Sequence, residues 1–284
     1  MPLLRLAILI LAASLAACAK PVGVERVDAP TAQRALTRNV LSAGEPSSFS
    51  KAQLLRLGLW DRYRDAPDDA LQVLRGQLGG ELEDRLLFAL AELSFHQGEQ
   101  RGEQAQFLAA AVYAYAFLFP ESGEAPGAYD VRVALALTLY SRGLSRGFQT
   151  GDDETVELRA GSFELPFGIL EVELEPSGFT WAGYRLARFK DLYRFEVHGL
   201  RNRYRRPGIG AALGGSLDPL DHAADAPPAL RVPELITLPV TALLRIQQPR
   251  QAVVDGNVRG TLRVFAEERE PSVMIGSRKV PIEY

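Results

Sequence analysis

The sequence predicts an α+β protein in which a helical domain over residues 49–150 precedes a mostly antiparallel β-rich region over 151–284. Three observations carry that prediction. Apolar residues recur every three to four positions from Ser50 to Phe148, which is the period of a helix face. From Thr155 onward they alternate with charged residues, the period of a strand with one buried side. Proline and glycine mark the joints, as at Pro67, Gly79-Gly80, Pro120 and Gly123. The composition, 47% hydrophobic and 24% charged over 284 residues, suits a globular body with a sizeable core. A formal net charge of −3 argues against a polyanion-binding surface, so nucleic acid is not an expected partner.

Residues 1–17 read as a signal peptide. Arg5 is followed by an apolar or small run from Leu6 to Ala17, short of the about 20 residues that span a bilayer. The run closes as Leu15-Ala16-Ala17-Cys18, which resembles the lipobox of bacterial lipoproteins. That resemblance implies cleavage between Ala17 and Cys18 and acyl chains on Cys18, whose thiol can form the thioether to a lipid glyceryl group. Cys18 is the chain's one cysteine, so no internal disulfide can form, and lipidation would remove a lone thiol from an oxidising compartment. Two acyl chains already anchor a protein stably. Ala19, standing where an aspartate would favour the inner membrane, implies the outer membrane on the same resemblance. Residues 18–48, with Pro21, Pro30, Pro46, Gly23 and Gly44, read as a tether containing at most one helical turn around Thr31 to Leu41.

Ser50 is the expected N-cap of a helix reaching Asp65, with Leu54, Leu55, Leu57, Leu59 and Trp60 on its apolar side. Pro67 opens a second, whose first turn carries Asp68 and Asp69 at the positive end of the dipole. Leu82 to Gln97 is apolar nearly all round and is expected to be buried. Phe107, Ala110, Ala111, Ala114, Phe117 and Leu118 mark the next helix, whose alanines allow close approach, and a last one runs from about Tyr129 to Arg146. Ala89-Leu90-Ala91, Phe95 and Gly98 recur as Ala134-Leu135-Ala136, Tyr140 and Gly143. This resembles the helix-hairpin repeats of tetratricopeptide (TPR) or HEAT proteins, although two copies are fewer than a free-standing solenoid needs and any packed hairpin shows such a face.

In the β region, Leu170, Val172 and Leu174 interleave with Glu171, Glu173 and Glu175. Tyr193, Phe195 and Val197 form a second expected strand, Val240 to Ile246 a third, and Leu262 with Val264 a fourth, with Asp255-Gly256 as a turn between the last two.

Three groups of residues invite a chemical reading. Gly143-Leu144-Ser145-Arg146-Gly147 fits the G-x-S-x-G nucleophile elbow, but the pattern before Ser145 is helical and that after it is turn-forming. The glycines are better read as the fraying end and C-cap of the helix. Arg201, Arg203, Arg205 and Arg206, followed by Gly208, Gly210 and Gly214, offer forked donors for a phosphate or carboxylate beside a glycine loop, against the alternative of a structural loop with salt bridges. His96, His198 and His222 are too scattered for a zinc pattern, and Asp218, Asp221, His222 and Asp225 read as a solvated acidic loop, so no metal or other cofactor is expected.

The signal with LAAC, the block LAAAVYAYAFLFP, the segment GLRNRYRRPGIGAAL, LPVTALLRI and the closing IGSRKVPIEY together resemble the leading part of a group of bacterial lipoproteins that carry an α/β-hydrolase domain. The resemblance covers most of the chain and includes no catalytic motif. It implies an accessory region that is not catalytic alone, with the hydrolase domain expected beyond Tyr284. Val273 to Ile275 and Val280 to Tyr284 read as strand material without a polar tail, which fits a longer parent. The partners implied are the membrane, through Cys18, and the chain's own hydrolase domain or a periplasmic protein. The rival expectation is a non-enzymatic periplasmic scaffold that binds a partner through its helical hairpins.

Overall fold

The computed structural model describes residues 24–80, 82–127, 129–151, 155–181, 184–195, 208–220, 237–266, 272–275 and 278–283. The chain divides into Met1–Thr37 and a larger compact unit, Arg38–Tyr284. In the first, α1 spans Ala29–Thr37, with the Asp28 carboxylate accepting from the Thr31 amide at 2.8 Å. That cap, with Pro30 in the first turn, extends the expected single turn to nine residues. The second unit begins at Arg38, inside the stretch expected to be tether.

The helices of this unit are α2 (Val40–Ala43), α3 (Ser48–Arg56), α4 (Trp60–Asp65), α5 (Pro67–Arg75), α6 (Glu83–Arg101), α7 (Gln104–Leu118), α8 (Val131–Gly147) and α9 (Pro249–Asp255). Ser47 caps α3, not Ser50, whose hydroxyl is buried. The expected single helix to Asp65 breaks at Gly58, which adopts φ 65°, so α3 and α4 are separate. Gln106 to Leu118 of α7 are all buried, since α6 and α8 flank it and the sheet lies beneath.

Among the described residues the strands are β1 (Gln149–Thr150), β2 (Thr155–Val156), β3 (Gly161–Leu165), β4 (Gly168–Leu174), β5 (Thr180–Trp181), β6 (Tyr184–Asp191), β7 (Ala211–Pro219), β8 (Thr237–Ile246), β9 (Asn257–Ala266), β10 (Ser272–Ile275) and β11 (Arg278–Pro281). The main sheet runs β1-β2-β6-β7-β8-β9-β4-β3, with β5 beside β6, and β10 pairs with β11. Every junction is antiparallel except β4–β9, where Ile169 to Leu174 lie parallel to Asn257 to Leu262. The structure is therefore a mixed α+β fold with a mostly antiparallel sheet. The change near residue 150 is one of secondary structure inside a single unit, because helices and sheet share a core.

Alternation places that core. Leu170 and Val172 of β4, Val258, Leu262 and Val264 of β9, and Val240, Ala242 and Leu244 of β8 are buried and in register on one face. On the opposite face of β4 and β9, Glu171 and Arg259 sit in register and pair at 3.2 Å.

Two expectations change here. Of the strand expected from Tyr193 to Val197, residues 196 and 197 lie outside the described residues, and Leu192–Arg194 is a 3-10 turn started by Asp191 accepting from the Tyr193 amide, directly after the strand β6. A bulge at Arg188, with φ 44°, shifts the β6 alternation by one residue. Asp255-Gly256 is not a tight turn, because Asp255 ends α9 and Gly256, at φ 72°, caps it.

Two contacts fasten the layers. The Tyr140 hydroxyl on α8 donates to the Leu244 carbonyl at 2.7 Å and accepts from the Leu244 amide at 2.8 Å. Pairing of β7 with β8 stops at Ala211–Ala242, so the hydroxyl serves backbone groups of β8 that β7 does not reach. Tyr140→Phe should cost about 2–3 kcal/mol by leaving both groups buried and unpaired, read as a lowered urea midpoint at unchanged slope. Arg250 on α9 is the second fastening, pairing with Glu83 at 3.1 Å and with Asp84, both in the first turn of α6.

Candidate functional site

The helical side carries a cleft of about 590 Å³ lined by residues of α3 to α6 and the turn before α3. The break at Gly58 separates α3 from α4, and α4 brings Trp60 and Tyr63 to the cleft. The floor is a polar network. Tyr63 and Gln97 are buried, and the Gln97 amide donates to the Tyr63 hydroxyl at 3.0 Å. The Tyr63 hydroxyl lies 2.8 Å from His96 Nδ1, while His96 also hydrogen-bonds the Gly44 backbone. Burial lowers the His96 pKa, so the ring is held neutral, and burial raises that of Tyr63 well above a free phenol. A neutral ring donating to the Gly44 carbonyl leaves Nδ1 as the acceptor of the Tyr63 proton. Both ring nitrogens are thus engaged by the fold, and neither group is poised as a base or nucleophile.

The walls are cationic and aromatic. Lys51 pairs with Glu45 at 3.2 Å and stands 5.9 Å from the Trp60 ring centre. Arg101 pairs with Asp68 at 2.9 Å, which holds its guanidinium pKa above the usual value, and Arg64 and Gln100 complete the rim. Such an arrangement can bind a polar ligand by hydrogen bonds and stacking.

Beneath the turn before α3 lies a second polar centre. Glu92 is fully buried in α6, and its carboxylate accepts from the Val40 and Ser47 amides at 3.2 and 2.9 Å. The Ser47 and Ser50 hydroxyls donate to its other oxygen at 2.6 and 2.5 Å. This centre fixes one wall of the cleft, since Glu45, Pro46 and Lys51 belong to the same turn. Sequence reasoning missed both centres. The available signal was an acid within Ala89-Leu90-Ala91-Glu92-Leu93, a run otherwise without a polar residue.

The candidates named from sequence fall elsewhere. Ala17 and Cys18 lie outside the described residues, as do Arg201, Arg203, Arg205 and Arg206, with His198, Asp221, His222 and Asp225. Two glycines after the arginines are described by contact: a β-carbon on Gly208 would lie 2.4 Å from the Glu283 amide nitrogen, and one on Gly210, at φ 113°, would lie 2.4 Å from the Thr241 side chain. They admit a crossing of the chain, where Ile209 and Ile282 form a parallel bridge. Asp218 pairs with Arg188 at 2.7 Å.

Ser145 lies inside α8, 1% exposed, with its hydroxyl 3.4 Å from the Ser141 carbonyl. Gly143 lies within the helix and Gly147 is its last residue, with Phe148 and not a glycine as the C-cap. A β-carbon on Gly143 would stand 2.7 Å from the Phe107 carbonyl oxygen, and one on Gly147 2.5 Å from the Leu108 side chain. The G-x-S-x-G match therefore records the close approach of α8 to α7. The recurrence around Gly98 and Gly143 has the same origin, because a β-carbon on Gly98 would lie 2.8 Å from the Phe107 ring. Phe107 of the central helix meets a glycine on each neighbour.

Among the described residues there is no cluster of metal-ligating side chains and no helix long and apolar enough to cross a membrane. The chain matches no family model, no curated protein and no solved structure.

Proposed function

We propose that the chain is a lipoprotein of the outer membrane, held by acyl chains on Cys18, and that its folded body is the accessory region of an esterase- or lipase-like serine hydrolase without the catalytic part. What supports the absence of the catalytic part is the burial of Ser145, whose helical setting keeps its own hydroxyl from an acyl group and lacks the strand-to-turn strain of an elbow. The likeness of the quoted segments to hydrolase-bearing lipoproteins supports the class of parent.

The purified chain should hydrolyse p-nitrophenyl butyrate no faster than the Ser145→Ala variant, and a loss of activity in that variant would overturn the reading. The coding sequence past Tyr284 should continue into a strand, an elbow serine and a later aspartate and histidine, whereas an immediate stop would sink the hydrolase parent. Cys18→Ala should abolish incorporation of an alkyne-tagged palmitate and move the protein from the membrane fraction to the soluble one.

The cleft favours a second reading, that of a periplasmic scaffold whose helical, TPR- or HEAT-like hairpins bind a partner protein. In that case a partner is captured by the native chain and lost from Arg64→Glu, a variant at the exposed rim.

A further inference from the structure

We infer that the outward face of α3 rests on the phospholipid surface to which the chain is anchored. The inference takes its orientation from the proposed lipid on Cys18. On α3, Ser50 and Leu54 are buried against the rest of the helical layer, while Ala52 and Leu55 face away from it and Phe49, whose ring meets that of Phe88 edge-on at 6.1 Å, stands at the border between the two sides. Phe49 is 44% exposed and Leu55 64%, and Leu57 beyond the helix end is 37% exposed. Apolar exposure on one helix, next to a face that is already packed, marks a surface with an absent partner.

The nature of that partner follows from charge and from the covalent chain. Arg56 sits beside Leu55, and Arg62 follows on α4; both are exposed, and neither holds an ion pair among the described residues. Cations beside a shallow apolar row match an anionic headgroup layer over acyl chains. Only the residues from Ala19 to Ser47 separate Cys18 from α3, so a lipid-held chain keeps this helix within a tether's length of the bilayer and at high effective concentration there.

The test uses the full chain reconstituted in vesicles of phosphatidylethanolamine and phosphatidylglycerol, with the photo-crosslinking residue p-benzoylphenylalanine at position 55 or, as reference, at Ile169, an apolar residue 47% exposed on β4. Mass spectrometry of one digest reads phospholipid adducts at the probe and acylation at Cys18 together. Adducts at position 55 several-fold above those at position 169, and several-fold fewer when Arg56→Glu and Arg62→Glu are added, are expected. Equal adducts at the two positions, or protein adducts in place of lipid at position 55, would overturn the docking. An unmodified Cys18 peptide would remove the anchor instead, while the adduct ratio still decides whether α3 meets the bilayer.

Discussion

Glu92→Ala should destabilise the folded body by on the order of 4 kcal/mol, since it leaves two backbone amides and two hydroxyls facing an apolar void. The loss is one of geometry as well as energy, because Val40, Ser47 and Ser50 belong to the turn and helix that wall the cleft. A thermal melt followed by circular dichroism checks it against Glu99→Ala at an exposed site on the same helix. Equal melting temperatures for the two variants would show that the carboxylate is not the organising group.

The other large effect is expected at the α7–α8 crossing. Gly143→Val places a β-carbon 2.7 Å from a backbone oxygen and 3.0 Å from the Ala111 β-carbon, where no side-chain rotation relieves the clash. A cost of about 3 kcal/mol follows from overpacking of this kind. Gly147→Ala meets the Leu108 side chain, which can move, so its cost should be smaller. Urea titration of the two variants orders them, and a Gly143→Val midpoint equal to the native one would mean that the helices do not pack through these glycines.

What the sequence made legible follows the strength of its period. The long helices and the strands β4, β8 and β9 announce themselves because each buries one side, or all sides, with large apolar residues. β7 does not. Its Ala211-Ala212-Leu213-Gly214-Gly215 start is buried on both faces, so small residues replace alternation and the stretch reads as a glycine loop. β6 is obscured by the extra residue at Arg188, which breaks the two-residue period in mid-strand. The cleft was hidden for another reason. Glu45, Lys51 and Trp60 come from a turn and two short helices, and they meet His96 and Arg101 of α6 only after the chain turns at Gly58. The misreading of Gly143 and Gly147 is instructive in the same way: a glycine in a helix signals a neighbour's proximity as readily as an end.

The position of β4 in the sheet sets an order of events in time. β3 and β4 are made early, yet their place in the sheet exists only beside β9, and Tyr140 must wait for Leu244, 104 positions later. A chain emerging from its N-terminus therefore cannot close its core until the last third has left the channel, and folding should be late and cooperative. During that interval Leu170, Val172 and the inner side of α8 face water. For a chain exported as proposed above, this is the window in which a holding chaperone acts.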